Sequence, residues 1–241
     1  RPRQKLAGSH LGGQAFFIVT PNPEQIVLAQ SHTEFKNALN SSDLAIADGW
    51  GIVVAARLLR ITNYELRITE RVSGIELFES LVKRAAEERW SVMLVGGRGD
   101  TAAEAAKILN IINHISYIKG TEGLRDAKNP DKDEEKRLIE QINEYEPDLL
   151  FVGFGAPWQE LFVARNLSKL QVKAVMVVGG ALDQIAHPSL RPPKVIDRMG
   201  LGWLYRLVRQ PWRSRRQLRL LRFVGMVLRA WWRGNQVPAG T

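Results

Sequence analysis

Residues 149–180 read LLFVGFGAPWQELFVARNLSKLQVKAVMVVGG. Two apolar runs, Leu149 to Val152 and Val172 to Val178, each end at glycine. The segment between them contains a predicted short helix, Trp158 to Leu167. Short apolar runs bounded by glycine are typical of strands that are buried on both faces of a parallel sheet. A strand, a helix and a second strand in succession therefore predict two parallel strands joined by a right-handed crossover.

The same alternation extends over residues 15–190. Further strands are predicted at Ala15 to Thr20, Leu44 to Ala47, Ser91 to Val95 and His114 to Ile118. We therefore predict an α/β fold with a Rossmann-like, mostly parallel sheet flanked by helices. Residues 1–14 are predicted to be a loose segment, and residues 191–241 an appendage that begins where prolines break the pattern. Because the chain starts at Arg1 rather than methionine, we expect its natural start to lie upstream.

The composition of the 241-residue chain excludes several classes of protein. It has no cysteine, which excludes disulfides and thiolate metal sites and fits a cytoplasmic protein. No secretory signal is visible, and no run of about 18 uncharged apolar residues could span a bilayer. Hydrophobic residues make up 45% of the chain, which is ordinary for a globular protein with a sizeable core.

Glycine-rich or polar turns follow five of the predicted strands. They are Thr20-Pro21-Asn22, Asp48-Gly49, Gly96-Gly97, Gly153 to Pro157 and Gly179-Gly180. Ligands of open parallel sheets bind at the carboxyl ends of the strands, where glycine admits close approach and helix N-termini face phosphate. The turns therefore predict a nucleotide-sugar pocket, although any one of them could be an ordinary connection. The predicted substrate-binding residues in these turns include Gly96, Gly97, Gly155, Pro157 and Gly180.

Asp48 is the strongest candidate for a catalytic residue. It follows a predicted strand and stands beside a glycine at the start of a predicted helix, Trp50 to Leu59. A carboxylate in this place could remove a proton from an attacking hydroxyl group. Aspartate is also favoured as a helix N-cap, and the sequence alone leaves the two roles equally open.

Other side chains are predicted to contact substrate, and each has a structural alternative. Thr20 and Asn22 would hydrogen-bond a ligand or serve as turn and cap residues. Arg71 would meet a phosphate or lie in solvent. Asp183 would bind uracil or ribose or cap a short helix, and Gln159 would orient a sugar or face solvent. The four histidines have no ligand spacing, so no metal or other cofactor is predicted, although scattered aspartates leave Mg²⁺ open.

The positive charge of the chain is concentrated near its C-terminus. From Leu190 onwards there are twelve basic residues, eleven of them arginine, and one acidic residue, within a chain whose net charge is +9. Five arginines recur at helical spacing, opposite a mainly apolar face with tryptophans: Arg215, Arg219, Arg222, Arg229 and Arg233. This pattern predicts a basic amphipathic helix that lies on anionic membranes. A helix packed on the body and a nucleic-acid-binding segment are the alternatives.

An ordered set of motifs resembles the WecG/TagA/CpsF glycosyltransferases over roughly residues 16–216. The motifs are Thr20-Pro21-Asn22-Pro23, Asp48-Gly49-Trp50-Gly51, Glu70-Arg71-Val72-Ser73-Gly74, Gly153-Phe154-Gly155-Ala156-Pro157-Trp158-Gln159-Glu160, Gly179-Gly180-Ala181-Leu182-Asp183 and Trp203-Leu204-Tyr205-Arg206. The resemblance implies inverting transfer of an N-acetylmannosamine-type sugar from a UDP donor to a sugar on undecaprenyl diphosphate, in the synthesis of teichoic acid or another surface polysaccharide. It implies a peripheral enzyme on the inner face of the bacterial plasma membrane.

The resemblance also assigns roles to residues of this chain. It implies that Asp48 is the base and that Thr20, Asn22 and Gln159 line the pocket. It places Tyr205 in a tail motif and implies that tail arginines close over the site and meet the diphosphate, namely Arg206, Arg213 and Arg216. Transfer of another sugar, such as glucuronic acid, remains an alternative, as does a non-catalytic protein that binds nucleotides or nucleic acid. Formation of a homo-oligomer through the tail is also left open.

Overall fold

In a computed structural model of the chain, we describe residues 15–59, 72–193, 195–196, 202–209 and 214–234. Six strands form one sheet in the order β2-β1-β6-β5-β3-β4. They are β1 (Phe16–Val19), β2 (Leu44–Ala45), β3 (Val92–Gly96), β4 (Ile118–Thr121), β5 (Leu149–Gly153) and β6 (Ala174–Val177). All neighbouring strands in this sheet are parallel. The predicted α/β, Rossmann-like fold is therefore confirmed.

Helices separate successive strands and flank the sheet. They are α1 (Pro23–Ala29), α2 (Thr33–Asn40), α3 (Trp50–Leu58), α4 (Gly74–Glu88), α5 (Thr101–Asn113), α6 (Lys132–Tyr145), α7 (Trp158–Asn166), α8 (Ala181–Ala186), α9 (Gly202–Arg209) and α10 (Ser214–Gly234). The first begins as the sequence predicts: Asn22 is the N-cap and Pro23 occupies the first turn. The side chain of Asn22 accepts from the backbone N–H of Gln25, whose side chain accepts from the N–H of Asn22.

The core lies on both faces of the central strands, because β3 and β5 are buried at every residue. On one face, strand residues pack against apolar residues of α4, α5 and α8. The rings of Phe78 in α4 and Phe151 in β5 meet edge to face, with centroids 4.6 Å apart. This packing fixes the carboxyl edge of the sheet, from which the turns at Gly96, Gly153 and Val178 emerge.

Two details of the predicted strands are wrong. Short apolar runs such as Leu44 to Ala47 predict a buried strand, but β2 covers Leu44–Ala45, lies at the edge of the sheet beside β1, and has both of its residues exposed. The strand expected at His114 to Ile118 begins only at Ile118. Helix α5 continues to Asn113, and His114 ends it in the left-handed conformation with a φ of 52°. The apolar residue Ile115 is buried in the loop that follows.

The described residues fall into two compact units. Those within Arg1–Thr20, Glu34–Ile46 and Gly74–Arg191 form the first unit, which contains the sheet. Those within Pro21–Thr33, Ala47–Ser73 and Pro192–Thr241 form the second unit, which contains α1, α3, α9 and α10. The division into residues 1–14, 15–190 and 191–241 stays a prediction.

The C-terminal helix is present, and its apolar residues occupy two different environments. Phe223 is buried, and it lies next to Gly51 of α3, where a Cβ would be 3.7 Å from the ring. Leu221, Val224 and Leu228 are more than half exposed. One set of apolar residues therefore holds α10 to the second unit, while another faces outward. Among the described residues, no helix is both long enough and apolar enough to cross a membrane.

Candidate active site

In the first unit, the side chain of Gln159 joins the turns that follow β5 and β6. Its Oε1 accepts hydrogen bonds from the backbone N–H of Gly155, at 3.1 Å, and from that of Gly179, at 3.0 Å. Gln159 is only 3% exposed, because α7 places it on the face that also buries Phe162 and Val163. One buried oxygen therefore fixes the two turns relative to each other.

Glu160 in turn orients the amide of Gln159. Nε2 of Gln159 donates to Oε1 of Glu160 over 2.9 Å, and Glu160 is 1% exposed. Burial raises the pKa of Glu160 to about 7, and the hydrogen bond from Gln159 opposes that rise. Glu160 is thus a positioning residue whose charge changes near neutral pH.

The turn after β5 leaves space beside its backbone at Gly155. This residue has a φ of 80°, in the left-handed region that favours glycine, and an added Cβ would meet no atom within 4 Å. The next peptide bond, Ala156–Pro157, is cis. The turn therefore offers a surface where a ligand can come close to the main chain.

Packing within the protein explains the two glycines at the end of β3, Gly96 and Gly97. A Cβ at Gly96 would stand 2.8 Å from the ring of Phe154, and one at Gly97 would stand 2.6 Å from Cβ of Thr101. The N–H of Gly97 also donates to the carbonyl oxygen of Gly153 over 3.1 Å. These contacts bring the turns after β3 and β5 together, and a binding role for the two glycines stays a prediction.

Two other predicted residues of the first unit have defined neighbours. Thr20 lies against the start of α4, with its Oγ1 3.0 Å from the Cβ position of Gly74. Asp183 stands in the first turn of α8, with Oδ2 3.7 Å from the Cβ position of Gly180. The N-cap of α8 is Gly180, so Asp183 does not occupy the cap position. These positions leave the predicted ligand contacts of both residues to be tested.

In the second unit, Asp48 occupies a turn that the backbone holds firmly. Its N–H donates to the carbonyl oxygen of Pro21 over 2.9 Å, which ties this turn to the one before α1. Gly49, not Asp48, is the N-cap of α3, and its φ of 104° is a conformation that favours glycine. Asp48 is half-buried. The N-cap alternative for Asp48 is therefore wrong, whereas its role as a base stays a prediction.

A model of the glycosyl transferase WecG/TagA/CpsF family matches residues 4–237. The chain belongs to this family of glycosyltransferases. The resemblance seen in the sequence is therefore confirmed at the level of the family. Membership implies a nucleotide-sugar donor and an acceptor for the transferred sugar.

Several residues with predicted roles in the glycosyltransferase lie at or beyond the limits of the described structure. Arg71 and Arg213 are outside the described residues. Arg206 lies in α9 and Arg216 in α10, where only their backbone is described. Tyr205 also lies in α9, with the guanidinium carbon of Arg209 5.6 Å from its ring centroid. The predicted diphosphate contacts of these arginines stay predictions.

Sequence reasoning on the glycosyltransferase missed Glu160. A glutamate in the first turn of a helix is ordinarily solvated and favoured there by the helix dipole. The spacing of apolar residues could have indicated its burial. Val163 follows Glu160 by three residues and Phe162 follows Gln159 by three, which places each pair on one helix face. Among the described residues, no cluster of three histidine, aspartate or glutamate side chains could hold a metal ion.

Proposed function

We propose that this glycosyltransferase transfers an N-acetylmannosamine-type sugar from a UDP donor to a sugar on undecaprenyl diphosphate. The sugar, donor and acceptor are those that the resemblance to the family implies, and the observation that supports Asp48 as the base is its placement. The turn that contains it is held at the backbone by Pro21 and forms the N-cap of α3 through Gly49. Because Gly49 and not Asp48 is the N-cap of α3, the proposal gives the Asp48 carboxylate a catalytic role rather than a capping role.

The proposed reaction is a single displacement with inversion at the anomeric carbon. Asp48 accepts the proton of the acceptor hydroxyl as that oxygen forms a bond to the anomeric carbon. The bond from the anomeric carbon to the UDP oxygen breaks, and UDP leaves with the electron pair. Arg206, Arg213 and Arg216 supply the positive charge that stabilises the departing diphosphate.

The turns of the first unit are proposed to bind the donor. The space beside Gly155 admits a ligand to the backbone, and Gln159 holds that turn against Gly179. Thr20, Asn22, Arg71 and Asp183 are further proposed substrate contacts. The test of donor and acceptor is the transfer reaction itself, with UDP-sugars and a lipid-diphosphate acceptor.

We also propose that the enzyme is peripheral on the inner face of the plasma membrane and is held there by α10. The support is the outward-facing apolar set on that helix, in which Leu221 is 70% exposed and Trp232 is 60% exposed. Arginines on the same helix would add attraction to anionic lipid. The same apolar set could also pair two copies of the chain.

Substitution of the exposed leucines should release the protein from vesicles. The double variant Leu221→Ser and Leu228→Ser removes apolar area worth about 1.5–3 kcal/mol per leucine on burial, so binding to phosphatidylglycerol vesicles should fall by at least about tenfold. Sedimentation with vesicles measures this.

A matched control replaces two apolar residues of another helix that are at least as exposed, Ile111→Ser and Ile112→Ser in α5, which are 71% and 67% exposed. The control should bind as the natural protein does. Equal binding by all three proteins, or by a form that lacks 218–241, would refute the anchor.

A further inference from the structure

A groove of about 500 Å³ runs between α1 and α10, within the second unit. Three arginines of α10 line one side of it: Arg219, Arg222 and Arg229. The C-terminal end of α1 lines the other side, with Gln30 and Ser31 among its residues. Among the described residues that line the groove none is acidic, so the charge that they contribute is wholly positive.

The three arginines follow one another at intervals of three and seven residues, which places them on one face of α10. Like charges on one helix face repel each other. Within the described parts of the chain, none of the three forms a salt bridge. An anion in the groove would relieve this repulsion, and guanidinium groups suit phosphate because they bind it bidentately.

The carbonyl groups at the end of α1 do not need the arginines as hydrogen-bond donors. There, the carbonyl oxygen of Val27 accepts from the N–H of Gln30 over 3.2 Å. The carbonyl oxygen of Leu28 accepts from the N–H and the hydroxyl of Ser31, at 3.1 and 3.2 Å. The end of the helix already has its hydrogen bonds, so capping does not account for the positive charge in the groove.

Gly225 lines the groove between the arginines. Glycine inside a helix costs stability relative to alanine, and here no packing requires it, because a Cβ would meet no atom within 4 Å. Its lack of a side chain keeps the groove open. On the helix, Gly225 lies between the arginine face and the exposed face of Leu221 and Leu228.

We propose that the groove binds the phosphate head group of an anionic membrane lipid, with Arg219, Arg222 and Arg229 as its ligands. The adjacent exposed apolar face would meet the acyl chains of the same lipid layer. This inference rests on the proposed attachment of α10 to the membrane and adds a specific head-group site to it. It predicts that the contribution of each arginine to membrane binding depends on its position in the groove and not on its charge alone.

The test compares single-charge variants of one helix. Arg222→Gln removes a charge from the groove, and Arg233→Gln removes one from an exposed residue of α10 that does not line it. Binding to phosphatidylglycerol vesicles should fall at least tenfold for Arg222→Gln and less than threefold for Arg233→Gln. Gly225→Leu fills the groove, keeps every charge and should also reduce binding at least tenfold, with an unchanged melting temperature or a higher one.

A charge placed between α1 and α2, or at the start of α2, gives a second comparison that leaves α10 intact. Gln30→Glu puts a carboxylate into the groove, whereas Thr33→Glu puts the same charge on an exposed residue outside it. Only the first should weaken binding. The site would be overturned if both variants of each pair lost vesicle binding equally and Gly225→Leu had no effect. The proposed membrane attachment would then still stand. Failure of the Leu221 and Leu228 variant to reduce binding would instead refute the attachment.

Two competitors identify the source of the phosphate. Dihexanoyl phosphatidylglycerol, below its critical micelle concentration, should bind in calorimetry and lose at least tenfold in affinity with Arg222→Gln. Inorganic pyrophosphate that binds more tightly than this lipid would assign the groove to a soluble anion and overturn the lipid proposal. Displacement of the protein from vesicles by a short oligonucleotide at equal phosphate concentration would overturn it in favour of nucleic acid.

Discussion

Asp48→Asn should reduce the turnover number of the glycosyltransferase by a factor of about 10²–10⁴, which is the usual contribution of a general base. Asparagine has nearly the same shape but cannot accept the proton of the acceptor hydroxyl. The backbone hydrogen bond to Pro21 uses the N–H of Asp48, and the N-cap of α3 is Gly49, so both are kept in the variant and the melting temperature should be near that of the natural protein. Steady-state release of UDP measures the loss, and the KM for the donor should change little.

Asp43→Asn provides the matched control, because Asp43 is an aspartate that directly precedes β2, whereas Asp48 lies three residues beyond the end of that strand. Oδ2 of Asp43 accepts from the N–H of Phe17 over 2.7 Å, and an asparagine oxygen can replace it there. This variant should keep near-normal turnover and a near-normal melting temperature. If Asp48→Asn also turned over at the natural rate, Asp48 would not be the base.

Glu160 should make the stability of the protein fall as the pH rises. Burial raises the pKa of Glu160 from 4.5 to about 7 in the folded protein, so the folded state holds a proton that the unfolded state has released between these values. Its contribution is full below about pH 4.5 and is lost as the pH rises through about 7. A difference of this size corresponds to about 3 kcal/mol in the free energy of unfolding.

Glu160→Gln should remove this dependence, because glutamine stays neutral and can still accept from Nε2 of Gln159. Urea unfolding at several pH values between 5 and 8 should show the variant gaining stability over the natural protein as the pH rises. Glu144→Gln, at an exposed position of α6, should leave the difference from the natural protein constant. If the difference in stability between Glu160→Gln and the natural protein also stayed constant with pH, Glu160 would not be buried in its protonated form.

Features governed by neighbouring residues were predictable from the sequence. The start of α1 is an example, because Asn22, Pro23 and Gln25 form a capping box without help from distant parts of the chain. The parallel sheet was equally predictable, because apolar runs that end at glycine recur with helices between them. The order of the strands was not, since nothing local places β6 between β1 and β5.

The remaining differences between the predicted and the observed structure arise from contacts between residues that are distant in the chain. Leu44 is exposed because β2 lies at the sheet edge. The start of β4 depends on where α5 ends, at His114. In the candidate site, the turns and Asp48 were found from their positions after strands. Gln159 was also found from the sequence, but its burial beside Glu160 was not predicted, because its partners Gly155 and Gly179 meet only when β5 and β6 pair.

The most direct measurement is the mass of a short-chain lipid-diphosphate acceptor after incubation with the glycosyltransferase and each of several UDP-sugars. The proposed function predicts that UDP-N-acetylmannosamine adds one N-acetylhexosamine to the acceptor and releases one UDP per sugar transferred. UDP-glucuronic acid should give no product, and Asp48→Asn should form the product about 10²–10⁴ times more slowly. If the acceptor mass were unchanged with UDP-N-acetylmannosamine, the proposed reaction would be contradicted, whether or not another donor gave a product.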